Sequence, residues 1–166
     1  MKIKDFVALL ITWVIATLWM GIAQPNLFGS MIPFSMTNND LQDWLGAVFL
    51  PTMWVVYVSG IVFALIWLGK GTKGQYINAK QVLSNGWFWW LLLFFGYLFN
   101  LIVFFAISFF TGWLDDGQSL EPLFIMPLFI LVDIALLYWL PTALATPRSL
   151  RYVPPLSMTL RKLYGG

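Results

Sequence analysis

Hydrophobic residues along the chain gather into four long runs, separated by short polar segments and containing few polar side chains of their own. The runs extend from about Phe6 to Ala23, Leu45 to Leu68, Gly86 to Leu114 and Pro122 to Leu144. A helix needs about 20 apolar residues to cross a hydrocarbon layer of about 30 Å. Each run meets that length, and the third exceeds it, so it is expected to tilt or protrude. None alternates apolar and polar positions as a barrel strand does, and each is about twice too long for one. The fold class predicted is all-α, a polytopic four-helix transmembrane bundle.

Signals at the ends of the runs refine their limits. In "NDLQ" Asn39 stands as an N-cap, with Gln42 three residues on, so the second helix is expected to begin as early as Asp40. Asn85 can cap the third, and Glu121 and Pro122 open the fourth. Pro127 and Pro141 would break a soluble helix but are tolerated in a bilayer, where kinks are expected. The segment "QPNLFGSMIPFSMTNND", from Gln24 onward, reads as a loop too apolar to stand in water. It is expected to dip into the interface, cover the bundle or meet a neighbouring subunit.

Composition agrees with the pattern. The chain of 166 residues is 60% hydrophobic and 10% charged, with a mean hydropathy of +0.82. About a quarter of the residues in a soluble domain are charged. The expected organisation is a four-span transmembrane domain over residues 1–146 and a basic cytoplasmic tail over 147–166. The first run has the basic start of a signal peptide, but it is longer than the usual signal core and holds Trp13 and Trp19, so it reads as a retained helix.

Charge sets the orientation. Lys2 and Lys4 precede the first span, Lys70, Lys73 and Lys80 separate the second from the third, and Arg148, Arg151, Arg161 and Lys162 follow the fourth. These nine are all the lysines and arginines, and four spans place them on one side. Because basic residues stay cytoplasmic, the topology expected is N-in, C-in, in a bacterial inner membrane or an equivalent energy-coupling or organellar membrane. Asp40, Asp43, Asp115, Asp116 and Glu121 fall on the other side, where the cluster Asp115, Asp116 and Glu121 reads as a solvated turn and helix start. Trp67, Trp87, Trp89, Trp90 and Trp139 cluster near the cytoplasmic boundary, and Trp19, Trp44 and Trp113 near the outer one, as amphipathic rings prefer.

Candidate chemistry is sparse. Cysteine and histidine are absent, which removes disulfides, thiolate nucleophiles, imidazole bases and the usual zinc, haem and iron-sulfur ligand sets. The chain is therefore not expected to be an enzyme, and no cofactor or metal is called for. One acid stands out: Asp133 lies in "LFILVDIALLYWL", near mid-span, where an ionised carboxylate costs at least ~2.5 kcal/mol. It must take up a proton or find a partner, and Asn100, near the middle of the third run, is the expected one. A hydrogen bond between helices, or contact with a partner's cation, explains this pair more simply than an ion path, which normally needs several polar groups in register.

Small residues recur at helical spacing: Ala8, Thr12 and Ala16 in the first run, Gly60 and Ala64 in the second, Gly96 with Asn100 in the third. Such positions let backbones approach, so they are candidate packing sites. The face "FFGYLFNLIVFFAISFF" reads as packing bulk, compatible also with a bound lipid, quinone or pigment. The basic loop "KGTKGQYINAK" lacks the Walker spacing and suits anionic headgroups. In the tail, Arg148, Arg151, Tyr152, Pro154, Pro155, Arg161 and Lys162 form an interfacial skirt or a docking peptide, with "LSMTLRKLY" able to form a short amphipathic helix. The function expected is a small non-catalytic integral membrane subunit that anchors, assembles or stabilises a larger complex, touching lipids, other protein subunits or copies of itself, but no nucleic acid. The rival is a small oligomeric ion or proton transporter built on Asp133.

Overall fold

The computed structural model describes residues 3–30, 38–73, 79–114, 121–146, 150 and 153–163. Among these there is no strand, and four helices are long and apolar enough to cross a membrane: Ile3–Ser30, Asp40–Lys70, Ser84–Phe110 and Glu121–Ala145. The first, α1, consists of an α-helical stretch Ile3–Leu18, a π-helical turn Trp19–Ala23 and a further α-helical stretch Gln24–Ser30. The second, α2, runs from Asn38 to Lys73 with a π turn at Leu45–Phe49. The third, α3, is Ala79–Phe110. The fourth, α4, starts at Glu121 and reaches Ala145 through a π turn at Ala135–Trp139. A short α5, Ser157–Leu163, follows.

Several limits differ from those expected. Helix α1 continues past Ala23 through Gln24–Ser30, so the start of the supposed outer loop is helical, and Phe28 within it is fully buried. Residues 31–37 of that loop lie outside the described residues. Helix α2 begins at Asn38, which puts Asn39 in the first turn rather than at the cap. Asn85 does not cap α3 either. The helix begins at Ala79, and Asn85 Nδ2 donates to the Gln81 carbonyl one turn back (2.6 Å). At its far end α3 stops at Phe110 rather than Leu114, because Gly112 takes a left-handed conformation (φ 78°). Trp113 N–H then reaches back to Ser108 O (2.9 Å) and Gly112 N–H to Phe109 O (3.2 Å), the paired bonds of a Schellman ending.

The three π turns have a common cause in the sequence. Each is followed two residues later by proline: Pro25, Pro51 and Pro141. The residue between, Gln24, Leu50 or Leu140, bonds five residues back, to Trp19, Leu45 or Ala135. Proline has no N–H to give, and its ring collides with the carbonyl four residues earlier. An extra residue in the preceding turn moves that carbonyl aside. The carbonyl so displaced by Pro141 belongs to Leu137, and Trp13 Nε1 donates to it (3.4 Å).

Helix α4 is the centre of the bundle. It packs against α1, α2 and α3, while α2 and α3 also pack on each other. The first half of α1 lies along Leu140–Ala145 of α4, an antiparallel pairing in which Ala8, Thr12 and Ala16 are all buried. Where α2 crosses α4, a Cβ on Gly60 would stand 2.7 Å from Leu137 Cβ, closer than real Cβ contacts come. Gly96 faces the Phe63 ring of α2, with 3.2 Å available, and Ala64 is fully buried. Outward positions are apolar along all four helices, including Leu10, Val14, Trp54, Val58, Phe95, Ile102, Phe124 and Leu128.

Candidate functional site

Asp133 is fully buried on the central helix and is bound entirely by α1. Trp19 Nε1 donates to its Oδ1 at 3.0 Å, and Gln24 Nε2 donates to the same oxygen at 2.6 Å. At 3.6 residues per turn, side chains five positions apart on a regular helix diverge by about 140°. The π turn Trp19–Ala23, whose bonds close over five residues, returns Trp19 and Gln24 to one face. Pro25, by forcing that turn, is thus what lets two residues of α1 reach one carboxyl group. Phe129 meets the Trp19 indole edge to face, with centroids 6.2 Å apart, and so holds the ring at this angle.

Around the site the interior is aromatic. Phe28 packs on Trp44 (4.9 Å), Phe49 (5.5 Å) and Phe129 (4.9 Å), joining the last turns of α1 to α2 and α4. Gln24, one helical turn before Phe28, is fully buried. Two oxygens in this pocket, Asp133 Oδ2 and Gln24 Oε1, are enclosed with no hydrogen-bond partner.

Asn100, expected beside Asp133, has other partners. Its Nδ2 donates to Ser59 Oγ (2.9 Å) on α2 and to the Gly96 carbonyl (2.7 Å) on its own helix. Similar depth in a sequence leaves rotation about the helix axis open, and Asn100 faces α2 rather than the α1 side of α4. The sequence pattern does not single out Trp19 and Gln24, because the tryptophan reads as an interface anchor and the glutamine as loop. Pro25 directly after Gln24 was the available signal, since proline inside an apolar helix calls for a local irregularity.

At the other end of the bundle a second set of bonds ties α2, α3 and α4. Trp67 Nε1 donates to Thr146 Oγ1 (2.9 Å), Trp89 Nε1 to Thr142 Oγ1 (3.0 Å), and Tyr138 OH to the Trp89 carbonyl (2.9 Å). Thr146 Oγ1 in turn donates to the Thr142 carbonyl. Trp67 and Trp89, read from the sequence as boundary anchors, are instead buried, as is Trp44, whereas Trp87 and Trp90 are exposed.

Part of the tail packs on this end. Trp139 Nε1 donates to the Pro155 carbonyl (3.1 Å), and Leu150, Pro154 and Ser157 are buried. Leu156 takes a left-handed backbone conformation (φ 61°) as the chain turns into α5, which lies against Leu140–Ala145. Arg148, Arg151 and Tyr152 lie outside the described residues, as do the side chains of Lys73 and Arg161. Lys80 and Lys162 are exposed, and Lys70 places Nζ 3.7 Å above the centre of the Phe88 ring. Comparison of the chain with protein-family models, with curated proteins and with solved structures finds no match.

Proposed function

We propose that this chain is a four-span integral membrane protein with both termini cytoplasmic, and that it acts as a non-catalytic subunit, a preassembled helical platform around which a larger membrane complex is built. The observation that carries the reading is the placement of polar groups. Asp133 with Trp19 and Gln24, Asn100 with Ser59, Trp67 with Thr146, and Trp89 with Thr142 each join two helices, so the buried polar chemistry is largely used in holding the bundle together. Outside, long apolar rows extend the length of the helices, a surface suited to lipid or to other membrane helices. Basic residues at one end supply headgroup attraction of about 1 kcal/mol each.

The test is purification in mild detergent. Proteins that co-purify in constant ratio with the wild type, and are lost when Arg148, Arg151, Arg161 and Lys162 are changed to Gln, support a subunit that docks through its tail. Purification as a single species from the native membrane overturns it.

A second reading, an oligomeric proton or ion transporter, draws on the unpartnered oxygens of Asp133 and Gln24. It requires flux in proteoliposomes that Asp133→Asn abolishes. Absence of flux removes it.

A further inference from the structure

Oδ1 of Asp133 receives two donors, the Trp19 indole N–H and the Gln24 amide N–H, so both of its lone pairs are engaged. Oδ2 and Gln24 Oε1 have no donor, although both side chains are fully buried. Unmet acceptors in an apolar interior are costly, and a charged one is the costliest. Among the described residues the tyrosine hydroxyls are engaged elsewhere: Tyr57 with Thr17, Tyr97 with the Pro127 carbonyl and Tyr138 with the Trp89 carbonyl. Apart from Asp133, the charged residues of the four described helices lie near their ends: Lys4 and Asp5 on α1, Asp40, Asp43, Lys70 and Lys73 on α2, Lys80 on α3, and Glu121 on α4. None of them offers a countercharge at mid-helix.

A single proton resolves both vacancies. Placed on Oδ2, it turns the carboxylate into an acid whose O–H donates to Gln24 Oε1, while Gln24 Nε2 continues to donate to Oδ1. Acid and amide then form a closed two-bond pair. Trp19, which can only donate, keeps Oδ1 as the acceptor and leaves Oδ2 as the place for the proton. We propose that Asp133 and Gln24 form an intramembrane proton-binding site, in which the carboxyl group is neutral and its proton bridges to the glutamine amide. Removing the proton sets a charged acceptor against a neutral one and loosens the second half of α1 from α4. A trapped water between an ionised carboxylate and the amide is the competing arrangement.

Infrared spectroscopy separates the two. Wild-type protein carrying an isotope label in the aspartate side-chain carboxyl is reconstituted in phosphatidylcholine vesicles at neutral pH. Asp133→Asn keeps Asp5, Asp40, Asp43, Asp115 and Asp116, so its spectrum supplies the background of the other aspartates. The site predicts one further label-sensitive band, the carbonyl stretch of a protonated acid, lost in Asp133→Asn and moved to higher frequency in Gln24→Leu. Carboxylate bands alone in the labelled wild type overturn the proposal, and that spectrum decides even if a variant fails to fold. An acid band that Gln24→Leu leaves unmoved overturns the bridge to Gln24. Neither result depends on whether any protein co-purifies.

Discussion

Asp133, Gly60 and Asn100 show how differently single residues bear on this bundle. A carboxyl group bonded as a neutral acid has a near-isosteric stand-in: asparagine can give Gln24 Oε1 an N–H and take the Gln24 amide on its own oxygen. Asp133→Asn is therefore expected to unfold within a few degrees of the wild type in detergent, followed by loss of helical circular dichroism, while Asp133→Leu, which strands Trp19 and Gln24, unfolds well below it. Gly60 makes a steric claim instead. Its hydrogen faces Leu137 Cβ, so Gly60→Ala forces α2 and α4 apart and is expected to cost about 1–3 kcal/mol. Leu137→Ala retains the offending atom and should not restore stability. Gly96→Ala meets the edge of a ring that can turn, and is expected to be milder in the same melt. Both glycines were recognisable from spacing. The neighbours that make Gly60 the stricter of the two were not, because spacing along one helix does not identify the atom across from it.

Among the elements, α1 is the most instructive. Its apolar run ends at Ala23, and Gln24, Pro25 and Asn26 look like the start of a turn, yet the helix continues to Ser30. The π turn absorbs the proline, and the burial of Gln24 and Phe28 against α2 and α4 rewards the extension. Pro25→Ala restores an N–H and removes the reason for the extra residue in the turn. The expected outcome is a regular helix that rotates Gln24 away from Trp19, so that Asp133 keeps one of its two donors. A cross-link between cysteines introduced at Phe28 and Phe129 checks this; it forms with Pro25 present and fails with Pro25→Ala, and the natural chain has no cysteine to confuse the result. Helix α3 errs in the opposite sense, ending four residues earlier than its hydrophobicity suggests because Gly112 can enter the left-handed region. Gly112→Val is expected to weaken that ending by about 1 kcal/mol, again read from thermal unfolding.

For the whole molecule the orientation of the bundle is the largest claim. Single cysteines at Lys2 and Lys162 are expected to react with a membrane-impermeant maleimide in inverted vesicles and not in right-side-out cells, with a cysteine at Asp116 showing the reverse. Labelling of positions 2 and 162 from opposite sides would remove both the four-span topology and the cytoplasmic role of the tail. The described tail is less free than its prolines and charges suggest, since Leu150 and Pro154 are buried and Trp139 holds the Pro155 carbonyl. A docking partner would therefore meet a folded surface that includes the exposed Lys162.

Taken alone, the order of residues determined that there are four long apolar helices and roughly where each lies, because a sustained run of hydrocarbon side chains without alternation has few other stable forms. It also singled out Asp133, since one acid in such a run is costly wherever the helix sits. Only the tertiary structure decided that α4 is central, that α1 rather than α3 supplies the partners of Asp133, and that Trp67 and Trp89 turn inward. Those outcomes depend on rotation about each helix axis. Rotation is set by close approaches such as Gly60 on Leu137 and by proline-driven π turns, neither of which leaves a simple period in the sequence.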